Sequence, residues 1–146
     1  VMLYDELPAR GSLEAVLGKK NALIVLYQMH TKGGATRDGV GHYSTILKLR
    51  AGKYEFFSSY GFSAEQEIAK THSTGKLIRL LGDNYVRSSA RLQQRLHTNT
   101  CARWAACRVL LREVPLQVFV KHFSSQITLQ KPDDIITLVT LFLFNK

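Results

Sequence analysis

A cysteine at the start of a helix dominates the second half of the sequence. The segment Gln94–Cys101 ends in an Asn-Thr turn, and Asn99 is a good N-cap for a helix over residues 100–112. A helix N-terminus carries partial positive charge and unpaired N–H groups, which stabilise a thiolate relative to a thiol. Cys101 is therefore a candidate nucleophile, and the side-chain amide of Gln94 with the Cys101 N–H is a candidate oxyanion hole.

The composition suits one domain. The chain has 146 residues, of which 45% are hydrophobic, enough for a sizeable core, so we expect a single domain over residues 1–146. The formal net charge is +9, which indicates either acidic partners such as nucleic acid or simply a solvated basic surface. Many of the basic residues lie in the half that contains the cysteine: Arg79, Arg87, Arg91, Arg95, Arg103, Arg108 and Arg112.

Cysteine usage and hydropathy indicate a soluble intracellular protein. Two cysteines, Cys101 and Cys107, do not make a disulfide framework, which favours a reducing setting. The first residues carry no signal-peptide pattern, and the most apolar run, residues 135–144, is shorter than the roughly 20 residues that cross a bilayer. No zinc-ligand spacing and no phosphate-binding glycine motif occurs, so we expect no metal and no membrane partner.

Apolar runs and chain breakers predict an α+β fold. Strands are predicted at residues 23–27, 42–49 and 54–57, of which the last two form a hairpin around a turn at 50–53, and a short strand is predicted at 91–93. Helices are predicted at 13–17, 63–70, 100–112, 117–123 and from 132 onward, a helix or turn is predicted at 77–81, and the glycine-rich residues 28–41 are predicted to be a loop. We expect helices around a small, mostly antiparallel sheet, with the chemistry at strand ends and one helix N-terminus.

His42 is a candidate base for the Cys101 nucleophile. His42 lies where the glycine-rich stretch becomes a strand, which holds an imidazole rigidly at a sheet edge. A lone histidine is more often structural than catalytic, but His42 with Cys101 and Gln94 forms a Cys/His nucleophilic set. Cys107 lies in mid-helix beside two alanines and fits an inert buried thiol instead.

These residues occur in an order that resembles a known group of proteases. Gly41-His42-Tyr43, then Tyr54–Ser63, then Gln94 with Asn99–Trp104 are similar to the adenovirus-type maturation proteases. That group belongs with the ubiquitin-like-protein (SUMO) proteases and with relatives in large DNA viruses, virophages and Polinton-like elements. The resemblance covers roughly residues 23–112, and the Asn-Thr-Cys-x-Arg-Trp pattern is nearest to the virophage and Polinton-like branch.

The resemblance implies a papain-like cysteine protease fold of the adenovirus protease type. It implies Cys101 as nucleophile, His42 as general base and then acid, and Gln94 as the group that polarises the scissile carbonyl; Tyr43 takes the aromatic place beside the site. The implied function is a monomeric viral maturation endopeptidase that cleaves capsid or other virion precursors at Gly-containing sites, in the virion and the infected cell. DNA or a peptide is the implied activator, and no other cofactor is expected.

One position departs from the family. Where the family has an acid that orients the imidazole, this chain has Ser58, which can hydrogen-bond but carries no charge. Either a Cys/His dyad operates, or a nearby acid such as Glu55 substitutes, or activity is reduced. Strand alternation makes Glu55 doubtful, so Ser58 is the expected, weaker orienting group, and Ser58→Asp is expected to raise activity.

Two other functions fit the same sequence. The first is a protease that removes ubiquitin or a ubiquitin-like modifier such as SUMO. The second is a catalytically silent interaction or nucleic-acid-binding module on the same fold, which the serine at position 58 and the +9 charge favour.

Overall fold

A computed structural model of the chain describes residues 1–30, 36–49, 52–83, 85–93, 100–125 and 131–144, with the backbone alone at 29, 30, 36–40, 125 and 144. Within these ranges five strands form one sheet in the order β1-β2-β3-β4-β5. The strands are β1 Met2–Leu3, β2 Ala22–His30, β3 Thr36–Lys48, β4 Tyr54–Ser58 and β5 Tyr85–Arg87. The helices are α1 Leu13–Leu17, α2 Ala64–Thr71, α3 Lys76–Leu81, α4 Cys101–Leu110, α5 Leu116–Ser125 and α6 Pro132–Phe144, and a 3₁₀ turn spans Tyr4–Glu6.

The sheet is mixed. The central pairs β2–β3 and β3–β4 are antiparallel, whereas β1 and β5 join the two edges in parallel. The prediction of an α+β fold with helices around a small sheet is confirmed, and most of the strand pairing is antiparallel as expected, but the two edge strands add parallel pairs that the sequence did not predict. The edge strands are two and three residues long, too short to give a period-2 signal in the sequence.

Helices cover both faces of the sheet, and two apolar clusters fill the spaces between the layers. On β4, neighbouring side chains point to opposite faces, so Phe56 belongs to one cluster and Phe57 to the other. The Phe56 cluster contains Tyr4, Leu7, Leu13, Val25, Tyr27, Ile46, Phe56, Ala64, Leu77, Leu80 and Leu81. The Phe57 cluster contains Phe57, Leu92, Trp104, Cys107, Leu116, Phe119, Val120, Phe123 and Ile136. Helices α1–α3 therefore pack on one face and α4–α6 on the other.

Most predicted elements are confirmed, with two corrections. The predicted loop at 28–41 is partly strand, because β2 runs to His30 and β3 begins at Thr36; residues 31–35 lie outside the described residues. The antiparallel partner supplies the backbone hydrogen bonds that outweigh the glycines there. Residues 91–93 are not a strand, since the last strand is β5 at Tyr85–Arg87. Residues 50 and 51 of the predicted turn also lie outside the described residues.

The closing helix α6 has one buried face and one exposed face. Ile136 is fully buried in the Phe57 cluster, whereas Leu138 and Phe142 are 58% and 74% exposed. The apolar pattern of α6 therefore completes the core on one side only. Among the described helices, none has the length and apolar character needed to cross a bilayer.

Candidate active site

The histidine predicted from the sequence lies at one end of the sheet. His42 sits on β3 opposite Tyr27 of β2, and β4 ends at Ser58, which pairs with Ser44. The imidazole therefore lies just beyond the end of β4, on the same face as Ser44 and Ser58. Its side chain is only 9% exposed, so its surroundings fix its orientation.

Cys101 is the first residue of α4, as the sequence predicts. This helix packs across the other face of the sheet, where the Thr45 hydroxyl donates to the Ala105 carbonyl at 3.3 Å. The Cys101 thiol lies near enough to the His42 ring for each to shift the pKa of the other, and the backbone N–H groups of Tyr43 and Ala102 also lower the pKa of the thiol. The structure therefore places the predicted nucleophile close to the predicted base.

A carboxylate that the sequence analysis did not identify faces the other side of the imidazole. Oε1 of Glu67 lies 2.9 Å from Nε2 of His42, the distance of an ion pair, although without the alignment of a good hydrogen bond. Glu67 is 1% exposed and lies in the first turn of α2, where the helix dipole stabilises negative charge. The His42 ring thus lies beside a buried carboxylate on one side, and it lowers the pKa of the Cys101 thiol on the other.

Ser58 does not take the place of the acid. Its hydroxyl donates to Oε1 of Glu67 at 2.5 Å, the same oxygen that faces His42. The sequence predicts that Ser58 orients His42 directly; in the structure its hydroxyl contacts Glu67, which in turn faces the imidazole. Glu55 is excluded as well, because strand alternation turns it to the opposite face, where it forms a buried bidentate pair with Arg108.

These contacts shift the titration of both reacting groups. Burial by itself lowers the pKa of His42, but the hydrogen bond to Cys101 and the contact with Glu67 outweigh it and raise the pKa to about 9. Burial raises the pKa of Cys101, but the His42 ring and the N–H groups of Tyr43 and Ala102 outweigh it and lower the pKa. Both shifts act in the direction of a thiolate–imidazolium pair.

The second thiol behaves differently. Cys107 is fully buried in the Phe57 cluster, and burial raises its pKa to about 11. This agrees with an inert structural cysteine.

An aromatic ring that the sequence analysis did not single out covers the imidazole. Tyr60 lies against His42 with ring centroids 4.8 Å apart, and its hydroxyl accepts from Nε2 of Gln93 at 3.0 Å. Gln93 Oε1 accepts in turn from Ser59 at 2.8 Å. Gly61 makes this turn possible: its φ is +72°, and a Cβ there would lie 2.5 Å from the Ser89 carbonyl oxygen.

Other predicted positions are only partly described. Gln94, Asn99 and Arg95 lie outside the described residues, so the proposed oxyanion donor has no structural account here. The N-cap of α4 is Thr100, so the prediction of Asn99 as the N-cap is wrong. Among the predicted basic residues, Arg108 is not part of the surface, because it is 1% exposed and paired with Glu55. Among the described residues, no cluster of three or more His, Cys, Asp or Glu side chains is arranged to hold a metal.

The sequence did contain a signal for Glu67. Ala64, Glu67 and Thr71 form the buried stripe of α2, at the i, i+3 and i+7 spacing of one helix face. A glutamate in the buried stripe of an amphipathic helix needs a partner. Because α2 follows the strand that ends at Ser58, Glu67 is a candidate for the acid that position 58 lacks.

Comparison with known proteins gives one distant relative. The chain is 24% identical over 156 residues to "Uncharacterized protein V9" of the Sputnik virophage, an alignment that covers 97% of this chain and 85% of the virophage protein. This similarity points to a viral origin of the virophage kind. No protein-family profile matches the chain, and no solved structure matches it.

Proposed function

We propose that this protein is a cysteine endopeptidase with Cys101 as nucleophile, His42 as general base and acid, and Glu67 as the carboxylate that orients the imidazole. The observation that carries the proposal is the buried pair of His42 and Glu67 at 2.9 Å, beside Cys101 at a helix N-terminus, where the His42 ring lowers the pKa of the thiol. Thiol, imidazole and buried carboxylate in that order are the groups that acyl transfer to a cysteine requires. The fold we propose is papain-like, of the adenovirus protease type.

The reaction follows from these positions. The Cys101 thiolate attacks the scissile carbonyl carbon, a C–S bond forms, and the π electrons move to the oxygen, which the Cys101 N–H and Gln94 stabilise. The C–N bond then breaks as the His42 imidazolium gives its proton to the leaving amine. His42, again neutral, removes a proton from a water whose oxygen attacks the thioester carbon. The C–S bond then breaks, which releases the carboxylic acid product and restores the Cys101 thiolate beside the His42 imidazolium. Glu67 stays ionised throughout and stabilises the imidazolium.

The proposed substrates are capsid or other virion precursors with Gly-containing cleavage sites, cut in the virion or the infected cell. The similarity to a virophage protein supports a viral setting. We further propose that DNA can bind the basic surface, since the chain carries a formal net charge of +9. A catalytically silent module is less favoured than the sequence suggested, because Glu67 supplies the charge that Ser58 lacks.

The direct test is alkylation of the protein with iodoacetamide, followed by mass spectrometry of the labelled cysteine. We expect one fast label on Cys101 in the folded protein, slowed about hundredfold by His42→Ala and unchanged by the matched control Cys107→Ala. A Gly-containing peptide library and a ubiquitin-like fusion protein then separate endopeptidase from modifier-removing activity. Labelling of Cys101 no faster than a free thiol would exclude the proposed function.

A further inference from the structure

The helix that carries the nucleophile is held by a buried carboxylate from another helix. Asp133, in the first turn of α6, is 1% exposed. Its Oδ1 accepts from the Thr100 hydroxyl at 2.8 Å and from the Trp104 indole N–H at 3.2 Å. These two donors precede and follow Cys101, so a single oxygen binds both ends of the first turn of α4.

The Thr100 hydroxyl is directed to Asp133 and not to its own helix. Threonine at an N-cap normally accepts a hydrogen bond from the N–H two or three residues later. Thr100, the N-cap of α4, makes no such bond: its backbone lies in the right-handed helical region, and its hydroxyl donates to Asp133. The backbone N–H of Ala102, in the same turn, lowers the pKa of the Cys101 thiol.

We propose that Asp133 is a positioning residue for Cys101: it holds Thr100 and Trp104 so that the first turn of α4 directs its N–H groups and the thiol toward His42. This inference rests on the proposed function for its biological meaning, but its effect on the thiol does not depend on peptide cleavage. Loss of the carboxylate removes both hydrogen bonds, so the first turn of α4 is held less firmly and directs the thiol less well toward His42.

The test measures the pH dependence of Cys101 alkylation in Asp133→Ala, Asp133→Asn and the matched control Asp134→Ala. Asp134 is exposed in the same turn of α6, so its removal takes the same charge from that helix end. We expect Asp133→Ala to slow alkylation at neutral pH about fivefold, the fold-change of one lost hydrogen bond, and to raise the pH midpoint. Asp133→Asn keeps an acceptor oxygen and is expected to restore most of the rate.

Trp104 fluorescence provides a second measurement beside the rate of Cys101 alkylation. Trp104 is the only tryptophan in the sequence, so its emission reports the contact with Asp133 without interference. Its emission is expected to change in Asp133→Ala and to remain as in the wild type in Asp134→Ala. If Asp133→Ala does not fold, Thr100→Val provides the same test, because it removes one donor and keeps the side-chain volume.

A folded Asp133→Ala, or Thr100→Val in its place, with the wild-type pH midpoint and rate would overturn the positioning role and leave the peptidase intact. If the wild type cleaves no peptide but its Cys101 alkylation rate still depends on Asp133, the proposed peptidase function is wrong and the positioning role stands.

Discussion

Nε2 of His42 lies 2.9 Å from Oε1 of Glu67, and the same oxygen accepts the Ser58 hydroxyl at 2.5 Å. The histidine belongs to a central strand and the glutamate to the first turn of α2, 25 residues further along the chain. Ser58, at the end of β4, thus fixes the carboxylate from the sheet side while α2 supplies it. The acid next to the imidazole thus comes from a helix, and Ser58 on the strand hydrogen-bonds to that acid.

Replacement of Glu67 by Gln is expected to reduce Cys101 alkylation at neutral pH by about tenfold or more. The neutral amide no longer stabilises the imidazolium, and each pKa unit by which His42 falls costs about tenfold in the ion-paired form. The control is Glu65→Gln, which removes the same charge from the same helix turn but at an exposed position. Equal rates for the two variants would show that Glu67 does not act on His42.

Ser58→Asp is expected to lower the reactivity of Cys101, the reverse of what the sequence alone suggested. The new carboxylate would lie against Oε1 of Glu67, and two carboxylates in contact cannot both stay ionised without cost. Ser58→Ala, which removes only the donor, is expected to have a smaller effect. An increase in alkylation rate for Ser58→Asp would mean that the carboxylate that orients His42 belongs at position 58 and not at Glu67.

The pH profile of kcat/KM for peptide cleavage should be broad and extend to about pH 9. The pKa of His42 is raised from 6.5 to about 9, so the imidazolium that protonates the leaving amine persists through neutral pH and is lost as pH rises through that value. The midpoint of the acid limb should lie at a pH below the ordinary pKa of a cysteine thiol, because the pKa of Cys101 is lowered. In Glu67→Gln the alkaline limb should move to lower pH; an alkaline limb near 6.5 in the wild type would contradict the assignment.

Removal of Arg108 is expected to destabilise the fold rather than to weaken DNA binding. Its guanidinium donates to both oxygens of Glu55 at 2.6 and 2.9 Å, with the two side chains 1% and 2% exposed. Arg108→Met leaves a buried carboxylate unpaired, which costs about 3–5 kcal/mol in the free energy of unfolding. Denaturant unfolding measures this, with exposed Arg112→Met as the control, expected to stay within about 0.5 kcal/mol.

The double variant Glu55→Leu/Arg108→Met distinguishes pairing from packing. Because both charges are removed together, most of the lost stability should return. If the double variant is as unstable as Arg108→Met alone, the loss in free energy of unfolding comes from the packing of the arginine side chain and not from the unpaired carboxylate.

The sequence by itself determined the local features of this protein. The N-terminal position of Cys101 on its helix, the hairpin after His42 and the capping box that starts α2 depend on neighbouring residues, so they could be predicted from the chain. Strand alternation likewise predicted that Glu55 faces away from His42. The tertiary structure alone decided which acid meets the imidazole and what holds the nucleophile helix. His42 meets Glu67 because of the way α2 packs on the sheet. Thr100 meets Asp133 because of the way α6 packs on α4. Side-chain spacing within one element does not encode that packing.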